Sequence, residues 1–293
     1  MDDEIEDHDR GLSHDLPRLA RRGLLGLVGG AGVAALAGCG SDDGDVTLTG
    51  SGSTTSEGQG PGGEPPGGGA PPDGGGGASQ VEVADGEIPE ETAGPYPGDG
   101  SNGVNVLSES GIVRSDLTTS FGSASGVAEG VPVTVEMKVY DLTGSDIAPL
   151  AGAALYLWHC DREGRYSLYS EGVTEENYLR GVQETAADGS VRFTTVFPAC
   201  YDGRWPHMHF EVYQSLDSAT TYQNKLRTSQ LAVPEATCRE VYGVVDGYDS
   251  SVDTFETVGL DSDMVFSDGY SLQLAGVTGS VDEGYTFTLN VPV

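Results

Sequence analysis

The sequence predicts an all-β fold, an antiparallel β-sandwich formed by a single domain that we expect to span residues 91–293. Apolar and polar side chains alternate from Val133 to Val139, which is the pattern of a half-buried strand. No segment of this part shows a long apolar period of 3.6 residues, and residues 174–183 are expected to form one helical turn at most. Short strands separated by turn signals are typical of a sandwich. Further strands are expected at 155–160, 191–197, 207–213 and 285–291.

The first 39 residues predict an export signal. Arg21-Arg22 precede an apolar run, 23–38, which is too short to cross a bilayer comfortably and is typical of a signal peptide. The arginine pair resembles a twin-arginine signal, and Leu36-Ala37-Gly38-Cys39 resembles a lipobox, in which Cys39 carries the lipid. We therefore expect an exported lipoprotein that faces the outside of the cell and contacts the membrane only through this anchor.

Residues 40–90 predict a disordered acidic linker rich in Gly and Pro. Between Glu57 and Ala78, 16 of 22 residues are Gly or Pro. Such a segment buries too little apolar surface to offset its conformational entropy. We expect it to tether the folded domain to the anchor.

The charge balance excludes one class of partner. The chain has 46 Asp and Glu against 14 Lys and Arg, a formal net charge of −32. Binding of nucleic acid through phosphate contacts requires clustered cations, so we expect no nucleic-acid partner. So large an acidic excess is typical of a solvated surface in high salt, where repulsion is screened, and it predicts a halophilic source.

Histidine and tyrosine residues mark the candidate site. Residues two apart in a strand point to the same face, so His207 and His209 form a natural pair of metal ligands. His159 is expected to be a buried structural imidazole. Tyr166 and Tyr201 are either rim aromatics or further ligands, because a phenol binds a metal as phenolate only when the ion is highly charged, as ferric iron is.

Several stretches together resemble the intradiol ring-cleavage dioxygenases, the family of catechol and protocatechuate dioxygenases. They lie in order and with similar gaps between about residues 89 and 231, and the likeness is greatest to exported, single-domain members. The stretches are AGPY at 93–96, VRSD at 113–116, LWHCD at 157–161, GRYS at 164–167, YLRGVQ at 178–183 and FPACYDGRWPHMHF at 197–210. The Tyr201–His207 gap is shorter than in the soluble enzymes, and residues 233–293 contain no motif that we can assign.

The resemblance implies one non-haem Fe(III) as cofactor and a set of protein ligands for it. Those ligands would be Tyr166, Tyr201, His207 and His209. The implied reaction cleaves a catechol-type ring between its two hydroxyl-bearing carbons with O₂ and gives a muconate-type dicarboxylate. The implied partners are thus a small aromatic diol and O₂.

The resemblance also implies catalytic and substrate-binding residues. Tyr201 would accept a proton from the substrate, Arg204 would stabilise negative charge on the ring, and Gln230 matches the family's active-site glutamine. Pro95 and Tyr96 correspond to the segment at the mouth of the active site.

Two other functions stay open from the sequence. One is a β-sandwich lipoprotein that keeps the fold and binds without turnover. The other is a zinc hydrolase that uses His207, His209 and Glu211, which alternation places on one strand face.

The cysteines of the predicted domain suggest one cross-link. Export would allow thiols to oxidise, and three cysteines leave one unpaired. Among Cys160, Cys200 and Cys238 we favour a disulfide between Cys200 and Cys238.

Overall fold

The computed structural model describes residues 86–143 and 146–293. Residues 1–85, with the predicted twin-arginine pair, the lipobox Cys39 and most of the predicted linker, lie outside the described residues. Within the described ranges, no helix is long and apolar enough to cross a membrane.

Two sheets form the domain, and the first has five strands. β1 (Pro132–Asp141) lies between β9 (Gly284–Pro292) on one edge and β5 (Ser190–Val196) with the short β2 (Ala148–Pro149) on the other. β8 (Gly276–Ser280) continues the sheet beyond β9. The alternation predicted from Val133 to Val139 appears directly in the burial of β1.

The second sheet carries the candidate site and is antiparallel throughout. Its strands run in the order β4 (Arg180–Glu184), β3 (Ala154–Trp158), β6 (His207–Tyr213) and β7 (Lys225–Ala232). All seven residues of β6 are buried, because it is a central strand covered on both faces.

The core lies between the two sheets. Phe193 and Phe287 from the first sheet share one apolar cluster with Leu157, Met208 and Phe210 from the second, and all five are fully buried. The predicted all-β sandwich is therefore confirmed. One pair departs from the antiparallel prediction: β1 and β9 are parallel. A parallel pair needs a long crossover, and the intervening chain supplies it.

The segment without a motif, 233–293, contains both described α-helices. They are α1 (Glu235–Val244) and α2 (Asp249–Phe255). Cys238, Val241 and Tyr242 face the core from α1, and this helix is too short for its period to stand out in the sequence. The helical turn expected at 174–183 is wrong, since that stretch forms turns and then β4.

The ordered domain takes in the last residues of the predicted linker. Ile88 is fully buried, and its N–H donates to the carbonyl of Pro292. Next to it, the N–H of Glu91 donates to the carbonyl of Thr228 on β7 at 2.8 Å. The segment 88–92 thus runs from the end of β9 in the first sheet to β7 at the edge of the second sheet, beside the candidate site.

The favoured disulfide does not form, which corrects the expectation from the cysteine count. Cys160, Cys200 and Cys238 are all buried free thiols. Each sulfur instead contacts a backbone carbonyl, that of Ala199, Arg204 and Val233 respectively.

Candidate metal centre

Two histidines of β6 meet tip to tip. The Nε2 atoms of His207 and His209 are 3.1 Å apart. The Nδ1 atom of His207 lies 2.5 Å from the carbonyl oxygen of Trp205, which can only accept, so Nδ1 carries the proton. The lone pair of His207 therefore sits on Nε2, which faces His209, and such second hydrogen bonds are typical of metal-binding imidazoles. The His209 ring stacks on Trp158 at 4.9 Å, which fixes its plane.

Two tyrosine hydroxyls extend this pair into a cluster of four donor atoms. The hydroxyl of Tyr201 is 3.1 Å from His207 Nε2, and the hydroxyl of Tyr166 is 3.2 Å from that of Tyr201. The structure thus brings together all four side chains that the family resemblance indicates. Tyr166 is buried, whereas Tyr201 is partly exposed.

A tight turn after β3 places Tyr166. The carboxylate of Asp161 accepts the backbone N–H groups of Glu163 and Arg165, the guanidinium of Arg165 and the hydroxyl of Tyr178. These bonds close the loop that leads into Tyr166. Its own N–H donates to the side chain of Ser170 at 2.9 Å.

Burial sets the charge state of the four side chains in the absence of an ion. It lowers the pKa of His207 and of His209 well below the ordinary value, and the charge of Arg204 lowers both further. The same burial raises the pKa of the Tyr166 and Tyr201 hydroxyls above the ordinary value. The imidazoles are therefore neutral and ready to ligate, while the phenols need a strong nearby positive charge to ionise.

Arg204 and Gln230 flank the cluster. Arg204 Nη2 donates to Gln230 Oε1 at 2.6 Å, and Arg204 Nη1 lies 3.5 Å from His207 Nε2. Gln230 Nε2 donates to the carbonyl of Thr92 at 3.0 Å. Register explains the placement: Gln230 pairs directly with His209 across β6 and β7, so their side chains share a face.

Asp263 completes the site and comes from the segment without a motif. Its carboxylate accepts Arg204 Nε at 3.0 Å and the backbone N–H of Trp205 at 2.7 Å. Its other oxygen accepts the N–H of Val265 at 2.8 Å. No pattern in the sequence signals this residue, because only the tertiary fold brings it beside Arg204.

The segment 93–98 forms the mouth of the site. Tyr96 is half-buried, and its ring lies 5.0 Å from that of Tyr166 and 5.3 Å from that of Tyr169. Pro95 is exposed beside it. At Gly94, which has a φ of +70°, an added Cβ would come within 3.4 Å of the His209 ring, so glycine allows this segment to pass close over the histidine.

The donor set fits ferric iron better than zinc. Two imidazole nitrogens and two phenol oxygens lie within one run of close contacts, and hard phenolate ligands suit a highly charged ion. The described ranges contain no group of three or more His, Cys, Asp or Glu side chains arranged to hold a metal. Glu211, the third ligand of the zinc alternative, is instead held by the hydroxyls of Tyr213 and Thr228.

His159 has the structural role expected for it. It is buried, with Nδ1 2.8 Å from the carbonyl of Cys160 and Nε2 2.7 Å from the hydroxyl of Thr195. Burial lowers its pKa to about 4, so it stays neutral in the core.

Comparison with known proteins points to one family. Residues 108–224, less than half of the chain, match the Dioxygenase family model, Dioxygenase_C. The chain is 29% identical over 92 residues to a chlorocatechol 1,2-dioxygenase of Rhodococcus opacus, covering 28% of this chain and 36% of that protein. It is 39% identical over 61 residues to catechol 1,2-dioxygenase 1 of Acinetobacter lwoffii, covering 20% of each. The matches thus span about a third or less of these curated relatives.

A solved structure shares the fold. An intradiol ring-cleavage dioxygenase from Tetranychus urticae superposes with a TM-score of 0.54 at 22% identity, covering 70% of this chain and 93% of that one. At this identity the likeness shows the fold alone. Together with the sequence matches, it supports a relationship to the intradiol ring-cleavage dioxygenases.

Proposed function

We propose that this protein is a non-haem Fe(III)-dependent intradiol dioxygenase. It would cleave a catechol-type ring between the two hydroxyl-bearing carbons. That carbon–carbon bond breaks, both atoms of O₂ enter the product as carboxyl oxygens, and the ring carbons supply the electrons that reduce O₂. The observation that carries the proposal is the run of contacts of 3.1–3.2 Å that joins Tyr166, Tyr201, His207 and His209.

Those four side chains would hold the iron. Ferric iron, when bound, supplies a Lewis acid that ionises the diol and the phenols and makes the aromatic ring reactive toward O₂. The nitrogen and oxygen donors are neutral without it, and the low dielectric of the buried site strengthens their attraction to a trivalent ion.

The two tyrosines would have different roles because they differ in exposure. Tyr201 is partly exposed and lies 3.1 Å from His207 Nε2, so its phenolate oxygen can meet an entering diol and accept a proton. Tyr166 is buried beneath Tyr96 and is better placed to remain a ligand.

Arg204 would stabilise negative charge on the bound diol. Its Nη1 end faces His207 Nε2, while its other nitrogens are fixed by Asp263 and Gln230. A fixed cation in a water-poor site stabilises developing charge without reorganising, which is worth roughly 3–4 kcal/mol in comparable sites.

Product analysis tests the reaction. The full chain is loaded with ferric iron and given catechol under ¹⁸O₂. We expect a muconate-type dicarboxylic acid that carries two labelled oxygen atoms. Absence of oxygen uptake by the iron-loaded protein would favour a non-catalytic binding lipoprotein. A ring-opened aldehyde would indicate that the ring bond next to the two hydroxyl-bearing carbons is cleaved, and not the bond between them.

We also propose that the chain is exported and lipidated at Cys39 and works in high salt. The apolar run that ends at Cys39 supports the first point, and the net charge of −32 supports the second. Cys39→Ala should release the protein from membranes into the soluble fraction. The free energy of unfolding of the wild type should increase with NaCl concentration, and a decrease would contradict adaptation to salt.

A further inference from the structure

We propose that the candidate metal centre selects uncharged aromatic diols and rejects diols whose ring carries a carboxylate. This rests on the proposed function and adds to it the charge class of the substrate. The argument depends on where the cations of the domain are and on what already binds them.

A carboxylate taken out of water needs a cation or several free donors as partners. Residues 86–143 and 146–293 contain ten Lys and Arg side chains. Eight of them already lie within 4.0 Å of an Asp or Glu oxygen. These eight are Lys138, Arg162, Arg165, Arg192, Arg204, Lys225, Arg227 and Arg239.

The two remaining cations, Arg114 and Arg180, are bound to uncharged groups. Arg180 is buried and contacts the mouth segment, but it makes five hydrogen bonds, which equals the number of N–H donors on a guanidinium. Arg114 donates to three different backbone carbonyls. Arg180 therefore has no spare donor for a substrate carboxylate. Arg114 makes four hydrogen bonds in all and packs over the Phe121 ring at 4.7 Å, which leaves it one spare N–H, on Nη1.

Arg204 is the cation closest to the metal ligands, and its charge is already balanced. Asp263 lies 3.0 Å from Arg204 Nε and 3.4 Å from Nη2, and both side chains are buried. The guanidinium nitrogen that remains, Nη1, lies 3.5 Å from His207 Nε2, among the proposed metal ligands. Arg204 can therefore serve the diol oxygens but not a carboxylate further out on the ring.

The mouth itself carries acidic and aromatic groups. Glu91 borders the site, because the next residue, Thr92, bonds directly to Gln230. The Glu91 carboxylate accepts Gln273 Nε2 at 3.3 Å, and burial together with the charge of the exposed Asp268 raises the pKa of Glu91 to about 7. The Tyr96 ring also lies at the mouth, 5.0 Å from the ring of Tyr166. A ring substituent at the mouth would thus meet the Tyr96 ring and the negative potential of these acidic side chains, which favours a neutral group over an anion.

Three substrates test the proposal on the iron-loaded full chain: catechol, 3,4-dihydroxybenzoate and its methyl ester. The acid and the ester share the ring and the position of the substituent and differ in charge. We expect kcat/KM for the ester to exceed that for the acid by at least tenfold. Equal values, or a preference for the acid, would overturn the proposal. If none of the three is cleaved, the proposed function itself fails.

Two variants test the cause of the discrimination. Asp268→Asn removes an exposed charge, and Glu91→Gln keeps the shape of a partly buried side chain. Each should reduce the ester-to-acid ratio about twofold to fivefold, the range expected for an exposed or partly exposed charge. The ratio cancels any general effect on activity. Asp282→Asn, in the turn between β8 and β9 of the other sheet, is the matched control and should leave the ratio unchanged. An unchanged ratio in both test variants would overturn the electrostatic cause.

Discussion

Asp263 and Arg204 form a buried ion pair that joins the C-terminal segment to the candidate metal centre. Arg204 Nε lies 3.0 Å from Asp263 Oδ2, and the same oxygen accepts the N–H of Trp205. The carboxylate therefore holds both the guanidinium and the backbone from which it extends. This makes Asp263 a positioning residue for the site rather than a group that touches the substrate.

Asp263→Asn should lower kcat at least tenfold while iron content and visible colour stay near those of the wild type. The amide keeps the shape of the carboxylate but cannot balance the charge of Arg204, so the guanidinium is held less firmly although Gln230 still accepts Nη2. Iron analysis and steady-state kinetics check this. Asp261→Asn, an exposed neighbour, is the control and should behave like the wild type. Unchanged kcat in Asp263→Asn would remove its positioning role.

Arg204→Met should keep iron but lower turnover at least a hundredfold, because it removes the cation that faces His207. It also leaves Asp263 buried without its partner, and losing one member of a buried pair costs about 3–5 kcal/mol of folding stability. The double variant Arg204→Met/Asp263→Asn should recover part of that stability and none of the activity. Denaturant unfolding and kinetics separate the two effects, and restored turnover in the double variant would contradict a catalytic role for Arg204.

Tyr166→Phe should weaken and shift the charge-transfer band of the iron-loaded protein, because Tyr201 is left as its one phenolate ligand, and should weaken iron binding at least tenfold. The substitution removes one phenol oxygen and preserves the ring that packs on Tyr96. Tyr140→Phe in the first sheet is the matched control and should retain full colour. Visible spectra at equal iron occupancy compare the charge-transfer band of the variants with that of the wild type. An unchanged band in Tyr166→Phe would exclude Tyr166 as a ligand.

His159 should make folding stability depend on pH below neutrality. Its pKa is about 4 in the folded protein and near 6.5 in an unfolded chain, so the unfolded state binds the proton first as pH falls. Stability attributable to neutral His159 is complete above about pH 6.5 and is lost as pH falls toward 4, by up to about 3 kcal/mol. His159→Gln should unfold with a weaker pH dependence across this window. Urea unfolding of the wild type and of His159→Gln at several pH values measures the free energy of unfolding. The same change of this free energy with pH in both proteins would show that His159 does not control the dependence.

The strands and the pair of histidines were predictable because they rest on local patterns. Alternation from Val133 to Val139 and the spacing of His207 and His209 both follow from the two-residue period of a strand. The stretch 207–213, predicted from these features, is β6 residue for residue.

Other parts of the site depend on contacts between segments distant in the chain. Asp263 reaches Arg204 from 59 residues away, and Tyr166 approaches Tyr201 from 35 residues away. The family resemblance predicted Tyr166 as a ligand, but no pattern in the sequence around Asp263 predicts that it belongs to the site. The parallel pairing of β1 with β9 and the shielding of the three thiols in the core are likewise properties of the assembled fold.

A visible spectrum of the iron-loaded protein, recorded before and after adding catechol without oxygen, tests the central claim most directly. Two phenolate ligands on ferric iron should give a broad charge-transfer band, and catechol should shift it by binding at the same ion. A colourless protein that binds iron stoichiometrically, or a band that catechol leaves unchanged, would contradict the assignment of this cluster as the catalytic centre.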